Sequence, residues 1–396
     1  MSLMKRVPLS QLTSVSAGQS APKDHDFSDA GIPFVRAGSL DALLSGKSEA
    51  DLELVSPETA KRLKLKTYPK GTILFAKSGM SATKDRIYVL KNPAHVVSHL
   101  ATLIPKEGMH SDYLRLALKR FPPSALIKDP AYPAISLGEI EGFEIPVPDD
   151  YADQIRIAHL LGKVESLIAQ RKQNLQHLDD LLKSVFLEMF GDPVQNEKGW
   201  EKKTAIDFAE CIVPGRDKPK SFSGGTPWVT TGDLMHLGYT EKSRTGIGLS
   251  EYEIKEVRAR VVPKSSVLMT CVGDLGVVSI CNSDMVINQQ LHAFQVSDEM
   301  SAEFFMYSLS FQKKYMYQNA SKTTLPYMNK TVCNKTPMVC PPTDLQMKFS
   351  ELVQKVFHIK SKYHQILLDL EALYGALSQQ AFKGELDLSR VVLVDV

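Results

Sequence analysis

The stretch from Gln154 to Phe190 constrains this chain more than any other. Ile157, Leu161, Val164, Ile168, Arg171, Leu175, Leu178, Leu182, Val185 and Met189 are spaced alternately four and three apart, and all but Arg171 are apolar. No proline enters the run, and Gly162 is its single weak helix former. A repeat of about 3.5 residues kept this long makes a stripe that stays in register against a second helix in a left-handed supercoil. At about 1.5 Å per residue the helix runs roughly 55 Å. That exceeds an ordinary globular helix.

Its partner lies in the same chain. Adding 192 to each number gives Phe349, Val353, Val356, Lys360, Tyr363, Leu367, Leu370, Tyr374, Leu377 and Ala381, with Lys360 the one charged member. Leu178-Asp179-Asp180-Leu181-Leu182 is echoed by Leu370-Glu371-Ala372-Leu373-Tyr374, and Phe190 by Phe382. Shared period, length and phase point to duplication. The remainder repeats as well: Ile32 to Leu40 matches Thr226 to Leu234 at an offset of 194, which also sets Pro69-Lys70 on Pro263-Lys264 and Gly79 on Gly273. At 193, Pro133, Ile135 and Ser136 fall on Pro326, Met328 and Asn329. A period this long is far beyond solenoid units. The chain therefore reads as a globular domain over 1–150, a long helix over 151–191, a second globular domain over 192–344, a second long helix over 345–383 and a tail over 384–396.

With 396 residues, 43% hydrophobic and 23% charged, the chain can form several cored domains. It has no run of about 18 apolar residues to cross a membrane and no signal-peptide pattern. Met1-Ser2-Leu3 ahead of Met4 reads as an added leader. Five cysteines (Cys211, Cys271, Cys281, Cys333, Cys340), without a CxxC pair, argue against a disulfide framework or a zinc site and for a reducing, cytoplasmic location. The net charge of +2 is uninformative, but its distribution is not. Nine Lys or Arg lie between Lys61 and Lys91 against the single acid Asp85, and five Lys with no acid lie between Lys313 and Lys335. Either run also suits a solvated surface.

Within the first globular half, Lys5 to Val15 alternates, and Gln19 to Ala30 reads as loop. Pro33 to Ala37, Thr72 to Ala76, Arg86 to Leu90 and Phe143 to Val147 read as strands. Ser111 to Arg120 has helical spacing with Ser111 as its N-cap. The second half repeats this, with strands near 227–230, 266–270 and 276–280 and a helix from Glu303 to about Gln312. Asp149 or Asp150 favours the start of the first long helix, and Gly191-Asp192-Pro193 ends it. The tail beyond Lys383-Gly384 is expected on the surface or as an edge strand.

Catalytic signatures are weak. Ser45-Gly46-Lys47-Ser48 resembles the end of a phosphate loop, but position 41 is Asp rather than the required Gly. Thr245-Gly246-Ile247-Gly248 reads as a turn. Asp129-Pro130-Ala131-Tyr132 resembles a methyltransferase Asp-Pro-Pro-Tyr element, but its second Pro is Ala and no glycine-rich loop accompanies it. There is no HExxH or GxSxG, and the ten histidines show no ligand spacing. His99 and His292 sit in comparable places in the two halves and read as core or surface residues rather than a catalytic pair. A duplicated body on a rigid spacer suggests a reader of two elements on duplex DNA, whose groove repeats about every 34 Å.

Several motifs now carry a resemblance: Ile32-Pro33-Phe34-Val35-Arg36-Ala37-Gly38-Ser39-Leu40 with its echo, Gly71-Thr72-Ile73-Leu74-Phe75 with Gly79, and Ile287-Asn288-Gln289-Gln290-Leu291. Ile145-Pro146-Val147-Pro148, Ser184 to Pro193 and Ala381-Phe382-Lys383-Gly384-Glu385-Leu386 extend it over nearly the whole chain. The chain resembles the specificity (S) subunits of type I restriction-modification enzymes. The resemblance implies an α+β fold: two similar mixed α/β target-recognition domains separated by two long antiparallel coiled-coil helices, related by a pseudo-twofold repeat. It implies a non-catalytic subunit in which each domain reads one half of a bipartite site on double-stranded DNA. The helices set the gap and dock two modification (methyltransferase) subunits, which restriction (translocase-nuclease) subunits then join. S-adenosylmethionine, ATP and Mg would be used by those partners and none by this chain, with no metal site and no membrane partner. One departure is Val97-Ser98-His99-Leu100, where the second half has Asn288-Gln289-Gln290-Leu291. The competing readings are a coiled-coil structural adaptor and a DNA methyltransferase with unrecognised motifs.

Phosphate contacts need cationic or amide donors, and base contacts need paired donors and acceptors. In the first half these are Lys77, Ser78, Lys84 and Arg86 after the central strand, then Lys23 and Arg36; the lysines suit phosphate, and Arg36 or Arg86 could fork onto guanine. In the second half the corresponding loop, Cys271 to Gly276, is not basic, so the candidates are Lys218, Lys220, Thr230, Thr231, Arg244, Lys322, Thr323, Thr324, Tyr327, Asn329 and Lys330. Helix pairing falls to the apolar seam residues given above. The seam charges Arg171 and Lys360 either snorkel to solvent or fix register against a carboxylate such as Glu165 or Asp369.

Overall fold

A computed structural model describes residues 4–215 and 217–391; Met1-Ser2-Leu3, Arg216 and residues 392–396 lie outside the described residues. The chain forms two compact units, Met1–Arg171 with Ile366–Val396, and Lys172–Gln365. Both divisions fall inside the long helices, Tyr151–Phe190 and Thr343–Lys383.

In the first unit, strand Met4–Pro8 pairs antiparallel with Glu144–Pro148. An antiparallel sheet follows in the spatial order Thr13–Ala17, Leu100–Pro105, Ile73–Ala76, Tyr88–Val89. A smaller sheet sets Ile32–Val35 between Leu54–Val55, antiparallel, and His95–Val96, parallel. Ile73–Ala76 is apolar throughout because it is covered on both faces, and all four residues are buried.

The second unit repeats this plan. Glu201–Thr204 pairs with Pro337–Cys340. The larger sheet runs Ala209–Ile212, Leu291–Val296, Val267–Thr270, Val278–Cys281, with a fifth strand, Tyr239–Thr240, added in parallel. The smaller sheet holds Gly248–Leu249, Thr226–Val229, Met285–Ile287 and Val261–Val262. Equivalent pairs recur: Leu74 faces Thr102 and Leu268 faces Ala293, while Phe34 beside His95 becomes Trp228 beside Val286. The turn before each central strand also recurs, with Gly71 at φ +87° in one unit and Ser265 at φ +68° in the other.

Each unit uses both long helices. In the first, Ile157, Ala158 and Leu161 share a core with Ala381 and Phe382, and the Tyr374 hydroxyl donates to Glu165 at 3.0 Å. In the second, the Phe190 and Phe349 rings meet at 5.6 Å, and Lys360 donates to Asp179. Within each unit, early residues of one helix segment meet late residues of the other, so the pairing is antiparallel. Val164, Leu175, Leu182, Val353 and Val356 are buried; Ile168, Leu178, Val185, Tyr363, Leu367, Leu370 and Leu377 are half-buried. Asp150 accepts from the Ala152 amide at 2.9 Å at the start of the first helix, and Gly191 leaves it at φ +74°.

Three expectations change. The helix Ser111–Arg120 is capped by His110, whose Nδ1 accepts from the Tyr113 amide at 3.4 Å, rather than by Ser111. The described part of the tail is no edge strand: it lies over the first unit with Glu385, Asp387 and Ser389 exposed, while Leu386, Leu388 and Val391 pack on that unit's core, and its remainder lies outside the described residues. Lys360 does not snorkel; it is buried against Asp179, while Glu165 is held by Arg115, Lys119 and Tyr374. Arg171, in the first unit, is half-buried.

Candidate nucleic-acid interface

The same backbone device brings three segments together in each unit. In the first, the Lys77 amide donates to the His99 carbonyl at 2.9 Å, the Ile135 amide to the Lys77 carbonyl at 2.8 Å, and the Gly79 amide to the Pro133 carbonyl at 2.9 Å. In the second, Cys271 donates to Gln290 at 2.9 Å, Met328 to Cys271 at 2.9 Å, and Gly273 to Pro326 at 3.0 Å. Gly79 and Gly273 both need a positive φ, +71° and +81°, where a side chain would be strained. Ser136 and Asn329 then cap the short helices Leu137–Glu141 and Lys330–Asn334. Lys128 Nζ, followed by the Ser136 backbone and hydroxyl, holds the Glu139 carboxyl down to about 2 beside this cluster.

This register corrects the matching of the histidines. His99 corresponds to Gln290, and His292 to Ala101, because Phe75 faces Ala101 where Met269 faces His292. His99 is exposed, with its Nδ1 2.8 Å from the Ser78 hydroxyl. His292 is buried with its Nδ1 3.2 Å from Cys333 Sγ, and burial pulls its imidazole down to about 4.

In the first unit Lys77 is half-buried, Lys84 is exposed, and neither is in an ion pair among the described residues. Asp85, the one acid of the basic run, is turned into the protein, where the Ser124 hydroxyl donates to it at 2.8 Å. The arginines are engaged: Arg86 is held by Asp41, and Arg36 by Glu53, with its guanidinium 5.3 Å from the Phe27 ring. A base contact by either would have to be exchanged for its carboxylate. Arg62 pairs with Asp26, so part of the basic run is structural. Lys23 is exposed on a separate segment.

In the second unit Lys218, Lys220, Arg244, Lys322, Thr323, Thr324, Tyr327, Asn329 and Lys330 are exposed, and Thr230 and Thr231 are half-buried. The Thr230 hydroxyl donates to Asp233 at 2.8 Å, and Thr323 donates to the Leu325 carbonyl at 2.8 Å. Sequence reasoning did not anticipate two contacts. Lys313 neutralises Asp274 in the non-basic loop at 2.7 Å. Gln289 reaches the Gly215 and Asp217 carbonyls at 3.3 and 3.4 Å, tethering the segment that leads to Lys218. Neither has a local signal, since the partners are far apart in sequence.

The family model for the type I restriction modification DNA specificity domain matches residues 1–178 and again 197–371. The chain therefore belongs to that family: it is a type I restriction-modification specificity subunit whose two repeated domains serve DNA sequence recognition and match a bipartite site. It is 24% identical over 359 residues to the type I restriction enzyme MjaIX specificity subunit of Methanocaldococcus jannaschii, covering 84% of this chain and 81% of the relative. Against the HindI specificity subunit of Haemophilus influenzae it is 23% identical over 168 residues, 40% of this chain and 36% of the relative. Among solved structures, an S subunit from M. genitalium superposes with a TM-score of 0.63 at 14% identity, covering 96% of each chain. A chain from work on complex assembly and conformational transition of the type I R-M system gives 0.52 at 16% identity, covering 97% and 98%. Both likenesses concern the fold. No helix among the described residues is long and apolar enough to cross a membrane.

Proposed function

We propose that each unit reads one half of a split word on double-stranded DNA through its three-segment loop cluster, and that this chain performs no catalysis. The observation that carries this reading is the repetition of that cluster, bond for bond, under different side chains: Lys77 against Cys271, and His99 against Gln290. A common scaffold with divergent tips suits two half-words of different sequence. Lys77 and Lys84 in the first unit, and Lys322 and Lys330 in the second, act on phosphates. The length of the helices, rather than any base contact, sets the gap.

Two modification subunits dock on the helices, and restriction subunits join through them, with S-adenosylmethionine, ATP and Mg belonging to those partners and the assembly working in the cytoplasm. Exposed apolar residues support two equivalent docking faces: Leu167 with Leu373 in the first unit, and Ile359 with Leu181 in the second, related by the same offset of 192. Methylome sequencing of cells with and without the gene tests the reading. A bipartite methylated word that disappears with this chain is expected; methyl transfer by the purified chain alone, or no lost word, would overturn it.

A further inference from the structure

Large apolar side chains stand out in solvent on the loop cluster of both units. In the first, Met80 is 66% exposed and Tyr132 is 82% exposed. The Ser78–Ala134 bridge and the Gly79 amide bond to Pro133 place their segments side by side. In the second, Leu325 is 62% and Tyr327 41% exposed, beside the Val272–Tyr327 bridge and the Gly273 bond to Pro326. Tyr132 and Leu325 are equivalent, since each immediately precedes the proline whose carbonyl accepts from the loop glycine. Lys77 and Lys84 lie on the first pair's segments, and Lys322 and Lys330 flank the second pair. Folding gains nothing from leaving such side chains wet at the same place twice. A cationic rim around an apolar tip complements a polyanion with apolar groups inside its grooves.

We propose that Met80 and Tyr132 in the first unit, and Leu325 and Tyr327 in the second, are specificity residues that read thymine by apolar contact with its 5-methyl group. That methyl is the apolar feature that base pairs present in the major groove, where it separates thymine from cytosine. The inference rests on the loop clusters facing DNA and adds how part of the word is read. Leu325 has no polar atom in its side chain, so a hydrogen-bonding role is closed to it.

The test uses the full chain with its modification subunits and duplexes carrying the methylome-derived word, with deoxyuridine replacing thymine one position at a time. Losing a contacted methyl should weaken binding about fourfold, the worth of one buried methyl group. At least one position in each half-word should respond. The chain carrying Met80→Ser and Tyr132→Ser should become indifferent to the methyl in one half-word while keeping its sensitivity in the other; Leu325→Ser with Tyr327→Ser should do the reverse. Uniform tolerance of deoxyuridine, a half-word without thymine on either strand, or unchanged sensitivity in the serine variants would overturn the inference. Sequence-specific binding that persists in those cases leaves the loop clusters as the reading surface. If the unaltered complex shows no preference for the word over other duplexes, the parent reading fails instead.

Discussion

Lys360 and Asp179 form an ion pair across the two long helices of the second unit, with the lysine side chain only 11% exposed. Lys360 occupies a seam position, in a seam that is apolar apart from it and Arg171, and Asp179 reaches it from beside Leu178 on the facing helix. Removing one partner of such a pair leaves the other charge desolvated, whereas replacing both with hydrocarbon is near neutral. Asp179→Ala should lower stability by about 2 kcal/mol in urea unfolding, and Asp179→Leu with Lys360→Met should recover most of it. Equal losses in the single and double variants would show that the pair contributes through packing alone.

The turn before the central strand offers an internal comparison. Gly71 and Ser265 both occupy left-handed backbone, which costs a side-chain-bearing residue roughly 1 kcal/mol. Ser265→Gly should therefore raise the second unit's stability by about that amount, less the extra entropy of an unfolded glycine. Gly71→Ser should destabilise the first unit. A thermal melt in which Ser265→Gly is clearly less stable would contradict this.

The buried His292 gives stability a pH dependence. Its folded pKa, about 4, lies below its ordinary 6.5, so the unfolded chain takes up the proton first. The stabilising effect of the neutral ring is complete above pH 6.5 and is lost as pH falls towards 4, amounting to about 3 kcal/mol. His292→Gln should flatten the fall in stability across that window relative to the unaltered chain. Parallel curves for the two chains would rule the assignment out.

Lys77 and Lys84 differ from Arg86 in what they are free to do. Lys77→Ala or Lys84→Ala should each reduce the slope of log affinity against log salt by about one while leaving the methylated word unchanged. Arg86→Ala releases Asp41 and tests a base-reading role: relaxed preference at one position supports it, and an unchanged word assigns the arginine to structure.

The twin apolar faces predict stoichiometry. Leu373→Glu, in the first unit, should remove one modification subunit and leave the other; Leu181→Glu, in the second, should do likewise. Native mass spectrometry would show one bound copy in place of two for each single variant. Two retained copies in both would exclude these faces.

Much of this was legible in the sequence because repetition is a signal of its own. The offsets near 192 anticipated that the second half repeats the strands of the first, and the spacing from Ile157 to Met189 anticipated a single long helix, which runs 40 residues. The offset could not give Asp179 as the partner of Lys360, because the contact joins residues 181 positions apart and depends on antiparallel register. The offset also misled. His99 and His292 looked equivalent at 193, but insertions shift that strand's match to 191, which only cross-strand pairing reveals. His110 as a cap went unseen because imidazole is an unusual acceptor for that role. At the reading surface, charge counts could not separate Arg62, Arg36 and Arg86, which are tied to carboxylates, from Lys77 and Lys84.

The first unit is assembled from two distant stretches of polypeptide: Met4–Pro8 completes its edge sheet, and Leu386, Leu388 and Val391 seal its core, whereas the second unit is one uninterrupted segment. Trimming that removes either stretch would therefore damage the same head. A chain nibbled in this way would go half-blind, still recognising the half-word of its interior unit after losing the other.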